Sequence, residues 1–425
     1  MKDIVVLGGG LAGCTLGYLL KRAGYNVTIV EKNEYMGGLC HTGDFHGVNY
    51  EFGPHVLYAE PGSEEEIFFR KFLDNREHRF FPLLSIDGSL DDLADFPVTA
   101  ANVLKLPLED REKAVEELYH VNLEKPSHEN FQKYVISRVG ATMYRYFFEN
   151  YNKKQWGIDP VDMDIEWARF RNLALREKGK GMFGDKWQGH PGSYKPLFDK
   201  LLDGINVVKA YVSSAEWAPK RIKSVDTDKG KIEGDFFFST VPIERLFGAS
   251  CLLPYRGILK WYFLLGGGVS MSSYVTTFPN NYSFTRIVDY RSQSLQEHGD
   301  SLVSFAFPFN AHKQEELSPD ALKTEAEDFL SSRMGADIKD SFSVRKDHVY
   351  PVATFQNIRL FKGLLSKLSE CDNVMSVGRL GLYSYISMDT CVGQCLKIMD
   401  EFEKWPELGI VERMEHYDSI RQKLS

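Results

Sequence analysis

Hydrophobic and polar positions change period along this chain, and the changes mark out its elements. The opening run Ile4-Val5-Val6-Leu7 is continuous and predicts a buried strand. A glycine turn follows, then an apolar helix through Leu20 and a second strand, Val27 to Val30, ending in Glu31. Apolar residues next recur at threes and fours over Arg111–Leu118 and Glu129–Tyr151, so residues 100–180 read as helical. Strand patterns return over 204–241, at Gly204–Val208 and Asp235–Thr240. Residues 255–310 carry aromatic strands such as Trp261-Tyr262-Phe263-Leu264-Leu265. Asn373–Arg379 predicts a late strand feeding a glycine turn, with a helix over about Asp389–Phe402 behind it.

The first turn carries chemistry. Gly8-Gly9-Gly10-Leu11-Ala12-Gly13 is G-x-G-x-x-G between a strand and a helix, the setting a dinucleotide site requires. Gly8 makes the tight turn, Gly10 lets backbone approach a pyrophosphate, and Gly13 lets helix and strand pack closely. The phosphates then meet the helix start at Leu11, Ala12 and Gly13, where unpaired N–H groups and the dipole favour negative charge. Glu31 is placed to accept from ribose hydroxyls, and an acid there disfavours a 2′-phosphate. The continuation Lys32 to Gly37-Gly38-Leu39 adds a second glycine pair, which narrows the cofactor to FAD. Thr240, at the end of a later strand, joins these candidate cofactor contacts.

The fold expected is α/β: a Rossmann-type FAD-binding domain with an inserted helical domain and an antiparallel β-sheet substrate domain. The expected boundaries are 1–80, 190–245 and 345–405 for the discontinuous FAD domain, 81–189 for the helical domain and 246–344 for the sheet domain.

Composition changes this picture little. The 425 residues, 43% hydrophobic and 26% charged, suffice for a large core in two or three domains. A net charge of -8 argues against nucleic acid or an anionic membrane as partner. The opening apolar stretch, broken by glycines and without a positive start, does not read as a signal peptide, and Lys21-Arg22 arrive too soon for a membrane span. Six cysteines show no metal spacing and no CxxC pair, so buried thiols in a reducing cytoplasm are expected, with no metal.

Spaced motifs over most of the chain resemble the UDP-galactopyranose mutases, flavoenzymes that contract a pyranose to a furanose on a nucleotide sugar. Phe52-Gly53-Pro54-His55-Val56 resembles the family's glycine–histidine segment beside the flavin. Val139-Gly140, Tyr144 and Tyr151-Asn152-Lys153-Lys154-Gln155-Trp156-Gly157 resemble its tyrosine-to-KQWG stretch. Trp187–Tyr194 is similar to its YQGxPxGGY segment, Tyr255-Arg256 to its YRS strand and Phe284-Thr285-Arg286-Ile287 to its YTRI strand. Tyr350-Pro351-Val352, and Gly378-Arg379-Leu380 with Tyr385, complete the series.

The resemblance implies roles. Arg286 and one of Arg169 or Arg171 would clamp the pyrophosphate, with phenols from Tyr350 and Tyr385; Arg171, Arg286 and His55 are the catalytic candidates. Arginine suits this work because its fixed fork binds phosphate oxygens bidentately. Phe147 and Tyr151 would stack the nucleobase, Gln155 and Trp156 would line the nucleotide and sugar, and His55 and Arg379 would contact the flavin. Three positions depart from the family pattern, Phe81, Met182-Phe183 and Ser387. They put the sugar and the base in question more than the reaction.

The implied reaction uses reduced flavin, whose N5 forms an adduct with the anomeric carbon while the nucleoside diphosphate leaves and returns. It fits a chain with no paired-carboxylate motif and no nucleophile elbow. The expected substrate is UDP-galactopyranose, exchanged with UDP-galactofuranose for cell-surface polysaccharide; a different nucleotide sugar stays open. The alternative is an FAD-dependent oxidoreductase of the amine-oxidase or protoporphyrinogen-oxidase type. Expected partners are the nucleotide sugar and an electron donor such as NAD(P)H or a reductase, with a homodimer left open.

Overall fold

The computed structural model describes residues 2–74, 76–77, 80–121, 125–165, 175, 182–249, 252–291, 299–312 and 318–422. Its first layer is a five-stranded parallel sheet. Asp3–Leu7 lies at the centre, flanked by Asn26–Glu31 and Phe236–Ser239, with Asn206–Lys209 and Val374–Ser376 at the edges. Both faces of such a sheet are covered, which is why its strands read as continuous apolar runs. Ile4 to Leu7 and Phe236 to Phe238 are all buried. Leu11–Arg22 begins where the central strand ends and packs beside Met388–Glu401, the helix expected over 389–402.

The glycines here are steric necessities. Gly8 has φ +101°, and a Cβ on Gly13 would lie 1.9 Å from the Gly8 carbonyl oxygen. A Cβ on Gly17 would lie 2.8 Å from Ile29 on the neighbouring strand.

The second layer is a seven-stranded sheet built around two long strands, Tyr255–Leu265 and Ser301–Asn310. Ile338–Pro351 pairs with the first, and the short strands Arg286–Asp289 and Val275–Thr277 extend from the second. The sheet then takes in Leu83–Ser85 and Leu93–Asp95, from the stretch expected to be helical. Three-residue strands are too short to show a period, so the pattern could not reveal them. The sheet likewise runs on to Pro351, past the expected boundary at 344.

One face of this sheet is a dry aromatic core. Phe263, Phe305, Phe307 and Phe284 pack there under Phe329 and Leu330 of the helix Pro319–Met334. The other face is polar at intervals. Lys260 and Arg286 both pair with Ala306, one from each side, and therefore point the same way.

The helical region covers that second face. Phe131, Phe147 and Trp156 share one core with Ile258, Ala306, Val349 and Tyr350 of the sheet. The single helix expected over 129–151 is in fact several pieces: Phe131–Val139, Ala141–Tyr144, a π-helical turn Arg145–Glu149, and Asn150–Trp156. Gly140, at φ +81°, breaks the first, and Glu117 accepts from the Thr142 N–H (2.6 Å) to start the next. Among the described residues no helix is long and apolar enough to cross a membrane.

Gly13→Ala should destabilise the fold even without ligand, because the added methyl meets backbone. Chemical denaturation of the apoprotein should show a loss of at least about 1–3 kcal/mol, the range for overpacked positions. Unchanged stability would refute the close contact.

Candidate active site

The glycine turn forms an open cradle. Gly10 precedes the first helical turn without any side-chain cap, leaving the N–H groups of Leu11, Ala12 and Gly13 facing outward. A Cβ on Gly10 would meet no protein atom within 4 Å, so space for a ligand lies directly against that backbone. Gly37 N–H donates to the Gly9 carbonyl (2.8 Å), and Gly38, at φ +58°, sits against Gly10. The two glycine segments thus brace each other in direct contact, and the open space against Gly10 fits a dinucleotide's phosphates.

The remaining cradle residues divide. Glu31 accepts from the Gly9 N–H (2.7 Å) and the Asn33 N–H (2.8 Å), so it braces the turn at the end of its strand. The Thr240 hydroxyl donates to the Leu7 carbonyl (2.9 Å), also inside the turn. Leu39 packs against the helical core. Burial and the charges of Arg245 and Lys346 push the Lys32 ammonium below its ordinary value.

A second pocket lies at the seam between the helical region and the sheet. It is lined by Tyr151, Gln155, Trp156, Arg286, Tyr350 and Tyr385, with Phe96, Phe131, Phe148 and Asn152. Arg286 Nη2 donates to the Tyr350 hydroxyl (3.1 Å) and to Gln155 Oε1 (3.3 Å). Burial opposes its charge, but the phenolic oxygens of Tyr350, Tyr151 and Tyr385 outweigh this and hold it above its ordinary value. Arg286 Nε and Gln155 Nε2 are buried with no partner. Two such donors are costly unless a ligand oxygen accepts from them.

The tyrosines are held by aromatic contacts. Trp156 meets Tyr350 and Tyr385 edge-on at 5.5 and 6.1 Å, and the two phenol rings lie 5.2 Å apart. Arg379 stacks on Tyr385 (4.8 Å) and donates to the Ile386 carbonyl (2.5 Å). It therefore supports the clamp from behind.

Arg256 secures the helix that carries Gln155. It is buried and donates to the carbonyls of Gln155 (3.0 Å) and Lys154 (2.8 Å) and to Asn310. These are last-turn carbonyls without intrahelical partners, and a cation there also suits the dipole.

His55 acquires an acid that its motif did not reveal. Glu51, one of the most buried carboxylates, accepts from His55 Nδ1 (3.0 Å) and His190 Nε2 (2.9 Å). The Gly192 N–H donates to His190 Nδ1 (2.9 Å), which places the proton of His190 on Nε2. Burial pushes the Glu51 carboxyl up, yet the two imidazoles outweigh it and hold it below its ordinary value of 4.5. The Glu51 carbonyl accepts from Tyr262 (2.9 Å) and Tyr290 (2.5 Å) hydroxyls, and Lys260 Nζ lies 2.9 Å from Tyr290.

Phe147 needs correction. It is fully buried in the helical core, and its neighbour Phe148 lines the pocket beside Tyr151. Phe148, three residues before Tyr151, is also its neighbour on a helix face, so spacing by fours picks the wrong one of two adjacent rings. Arg169 and Arg171 lie outside the described residues. Of the departing positions, Phe183 stacks on Tyr58 (3.8 Å), Phe81 is half exposed, and Ser387 bonds Thr390 (3.0 Å).

Comparison with known proteins adds the following. A family model described as UDP-galactopyranose mutase matches residues 146–330, and one described as an NAD(P)-binding Rossmann-like domain matches residues 6–74. The dTDP-fucopyranose mutase of Escherichia coli is 23% identical over 93% of this chain and 97% of its own length. A probable UDP-galactopyranose mutase of Klebsiella pneumoniae is 21% identical over 94% of each. A crystal structure of reduced UDP-galactopyranose mutase superposes with a TM-score of 0.82 at 16% identity, covering 99% of both chains.

Two substitutions probe this geometry. Gly10→Val should leave stability near wild type but abolish the yellow flavin spectrum of the purified protein, since its side chain fills only the ligand's space. Full flavin occupancy would contradict the cradle. For Glu51→Gln, thermal melts should show a gap to wild type that is full above about pH 4.5 and shrinks at more acid pH. The sign follows because a depressed carboxyl adds stability only while ionised. A gap independent of pH would mean that the charge of Glu51 does not matter.

Proposed function

We propose that the chain, which is similar over nearly its whole length to nucleotide-sugar mutases, is a member of the UDP-galactopyranose mutase family and interconverts pyranose and furanose forms of a nucleotide sugar with bound FAD. It is an isomerase of the mutase type. The observation that carries this reading is the Arg286 clamp: a charged guanidinium beside two phenols, with an unpartnered donor on Arg286 and another on Gln155, in a pocket whose inner half is aromatic.

FAD, when bound and reduced, supplies the nucleophile that permits exchange at the anomeric carbon. The protein's residues do the rest. Arg286, Tyr350 and Gln155 bind the diphosphate and stabilise its charge as the glycosidic bond lengthens. Tyr385 extends the same donor row. Phe148, Phe96 and Tyr151 receive the base, and Trp156 closes the wall between base and diphosphate. Such orientation can lower a barrier by roughly 7–11 kcal/mol. Glu51 fixes the His55 proton on Nδ1 by accepting it, and so orients the imidazole on the cofactor side.

Two substrates are to be compared: UDP-galactopyranose, the expected one, and dTDP-fucopyranose, on which the Escherichia coli relative acts by name. The apolar rings of Phe96, Phe131 and Phe148 suit a pyrimidine with or without a 5-methyl group. The electron donor is NAD(P)H or a separate reductase. A reducing cytoplasm is supported by five buried free cysteines among the described residues.

Dithionite-reduced protein should interconvert one of these substrates with its furanose by chromatography. The oxidised protein should be inactive, and no reductant should be consumed per turnover. Oxidation of one substrate equivalent per electron pair would instead place the chain among the oxidases. Arg286→Ala should keep its flavin and fold but lose turnover at least about a hundredfold, as for one preorganised donor. Arg286→Lys should recover only part, since a point charge cannot reproduce the fork. Near-normal turnover in Arg286→Ala would sink the clamp.

A further inference from the structure

Arg286 follows a hairpin loop that would be poorly held by its own bonds. Thr277 and Arg286 form the last strand pair, and Phe278 N–H donates to the Thr285 carbonyl (2.9 Å), closing a loop over 278–285. Inside the loop the carbonyls of Phe278, Tyr282 and Phe284 all turn toward one point. Lys154 Nζ occupies that point and donates to all three, at 2.8, 2.7 and 2.9 Å. An ammonium has three donors and no acceptor, so the match is complete. Lys154 is the neighbour of Gln155, whose side chain takes the Arg286 guanidinium. Arg256 in turn holds the carbonyls of both residues. A closed circuit results: sheet cation to helix carbonyls, helix cation to hairpin carbonyls, hairpin cation to helix amide.

We propose that Lys154 is a positioning residue for the diphosphate clamp, setting the height of Arg286 against Gln155 and Tyr350 by gathering the hairpin's carbonyls. This rests on the clamp reading above. Burial pushes the Lys154 ammonium down to about 8, while Glu325 pulls the other way. The three carbonyls accept from that charge, which ties its hydrogen bonding to the hairpin's shape.

The test is calorimetric binding of UDP and, in parallel, dTDP to flavin-loaded wild type, Lys154→Met, Arg286→Ala and the double variant. Lys154→Met should keep its flavin spectrum and weaken diphosphate binding about tenfold or more, the scale of hydrogen bonds to a charged group. The double variant should be no weaker than Arg286→Ala alone, because Lys154 acts through Arg286. A purely structural lysine would give losses that multiply, and that result overturns the proposal. Wild-type affinity in Lys154→Met beside impaired Arg286→Ala overturns it alone. Wild-type affinity in Arg286→Ala overturns the clamp reading and this inference together. If Lys154→Met does not fold, Lys154→Arg decides, since a planar fork cannot reproduce a tripod of donors. Unchanged affinity there also overturns the proposal.

Discussion

The site depends on one physical arrangement: carbonyl groups that secondary structure leaves unpaired are met by cations, one buried and one half-buried. A helix ends with carbonyls lacking intrahelical partners, and a hairpin loop turns others inward. Where the Asn150–Trp156 helix docks on the long sheet, both kinds are present. Arg256 takes the helix carbonyls and Lys154 the loop carbonyls. Each such bond stabilises by about 1.5–3 kcal/mol, and losing one partner leaves the other uncompensated. The seam is therefore rigid for the same reason that it is well satisfied.

That arrangement concentrates positive charge inside a chain whose net charge is -8. Arg256, Lys260 and Arg286 share one sheet face, and the Glu51 carboxylate acts on Lys260. Lys260 is almost wholly buried, and burial together with the Arg286 charge drives its ammonium far below the ordinary value. Arg256 is already committed to carbonyls. Among the described residues that line the pocket the cation is Arg286, and a guanidinium cannot shed its charge at working pH. An anionic diphosphate, as proposed above, would complete the electrostatics of this face, whereas a neutral apolar substrate would leave the two unpartnered donors as they are.

The cradle was legible in sequence because its demands are local. Gly8, Gly13 and Gly38 are glycines for reasons of turn angle and contact that act within a few residues of a strand end. The clamp residues were legible only as a motif series, since Gln155, Arg286, Tyr350 and Tyr385 come from four separate elements. What the pattern concealed is tertiary or a matter of register. Glu51 lies four residues before His55, but nothing in that spacing says that His190 shares its carboxylate. Phe147 and Phe148 both lie one helical turn before Tyr151, and spacing alone does not say which of the two rings lines the pocket. The break at Gly140 could have been read from the glycine itself, had the apolar periodicity on either side not bridged it.

The cradle and the clamp must lie at a fixed separation if one cofactor is to face one substrate, and a short stretch of chain sets it. Gly378, at φ +78°, follows the edge strand Val374–Ser376, and a Cβ there would lie 2.9 Å from Ala12 at the start of the first helix. Gly381 is pressed as closely against the Ser239 carbonyl, at 2.7 Å for its would-be Cβ. Both glycines dock this segment on the carboxyl ends of the parallel strands, where open α/β sheets bind ligands. Arg379 leaves it to stack on Tyr385, and Tyr385 then reaches Tyr350 and Trp156 across the seam. The path from the dinucleotide slot to the diphosphate clamp thus runs from Gly378 to Tyr385, through residues fixed by backbone contact at one end and ring contact at the other. A change that loosened either glycine contact would alter the spacing between the two sites without touching a ligand-facing side chain. On the function proposed above, in which a bound cofactor would carry the reactive atom, this path is what would hold that atom at a fixed distance from the substrate.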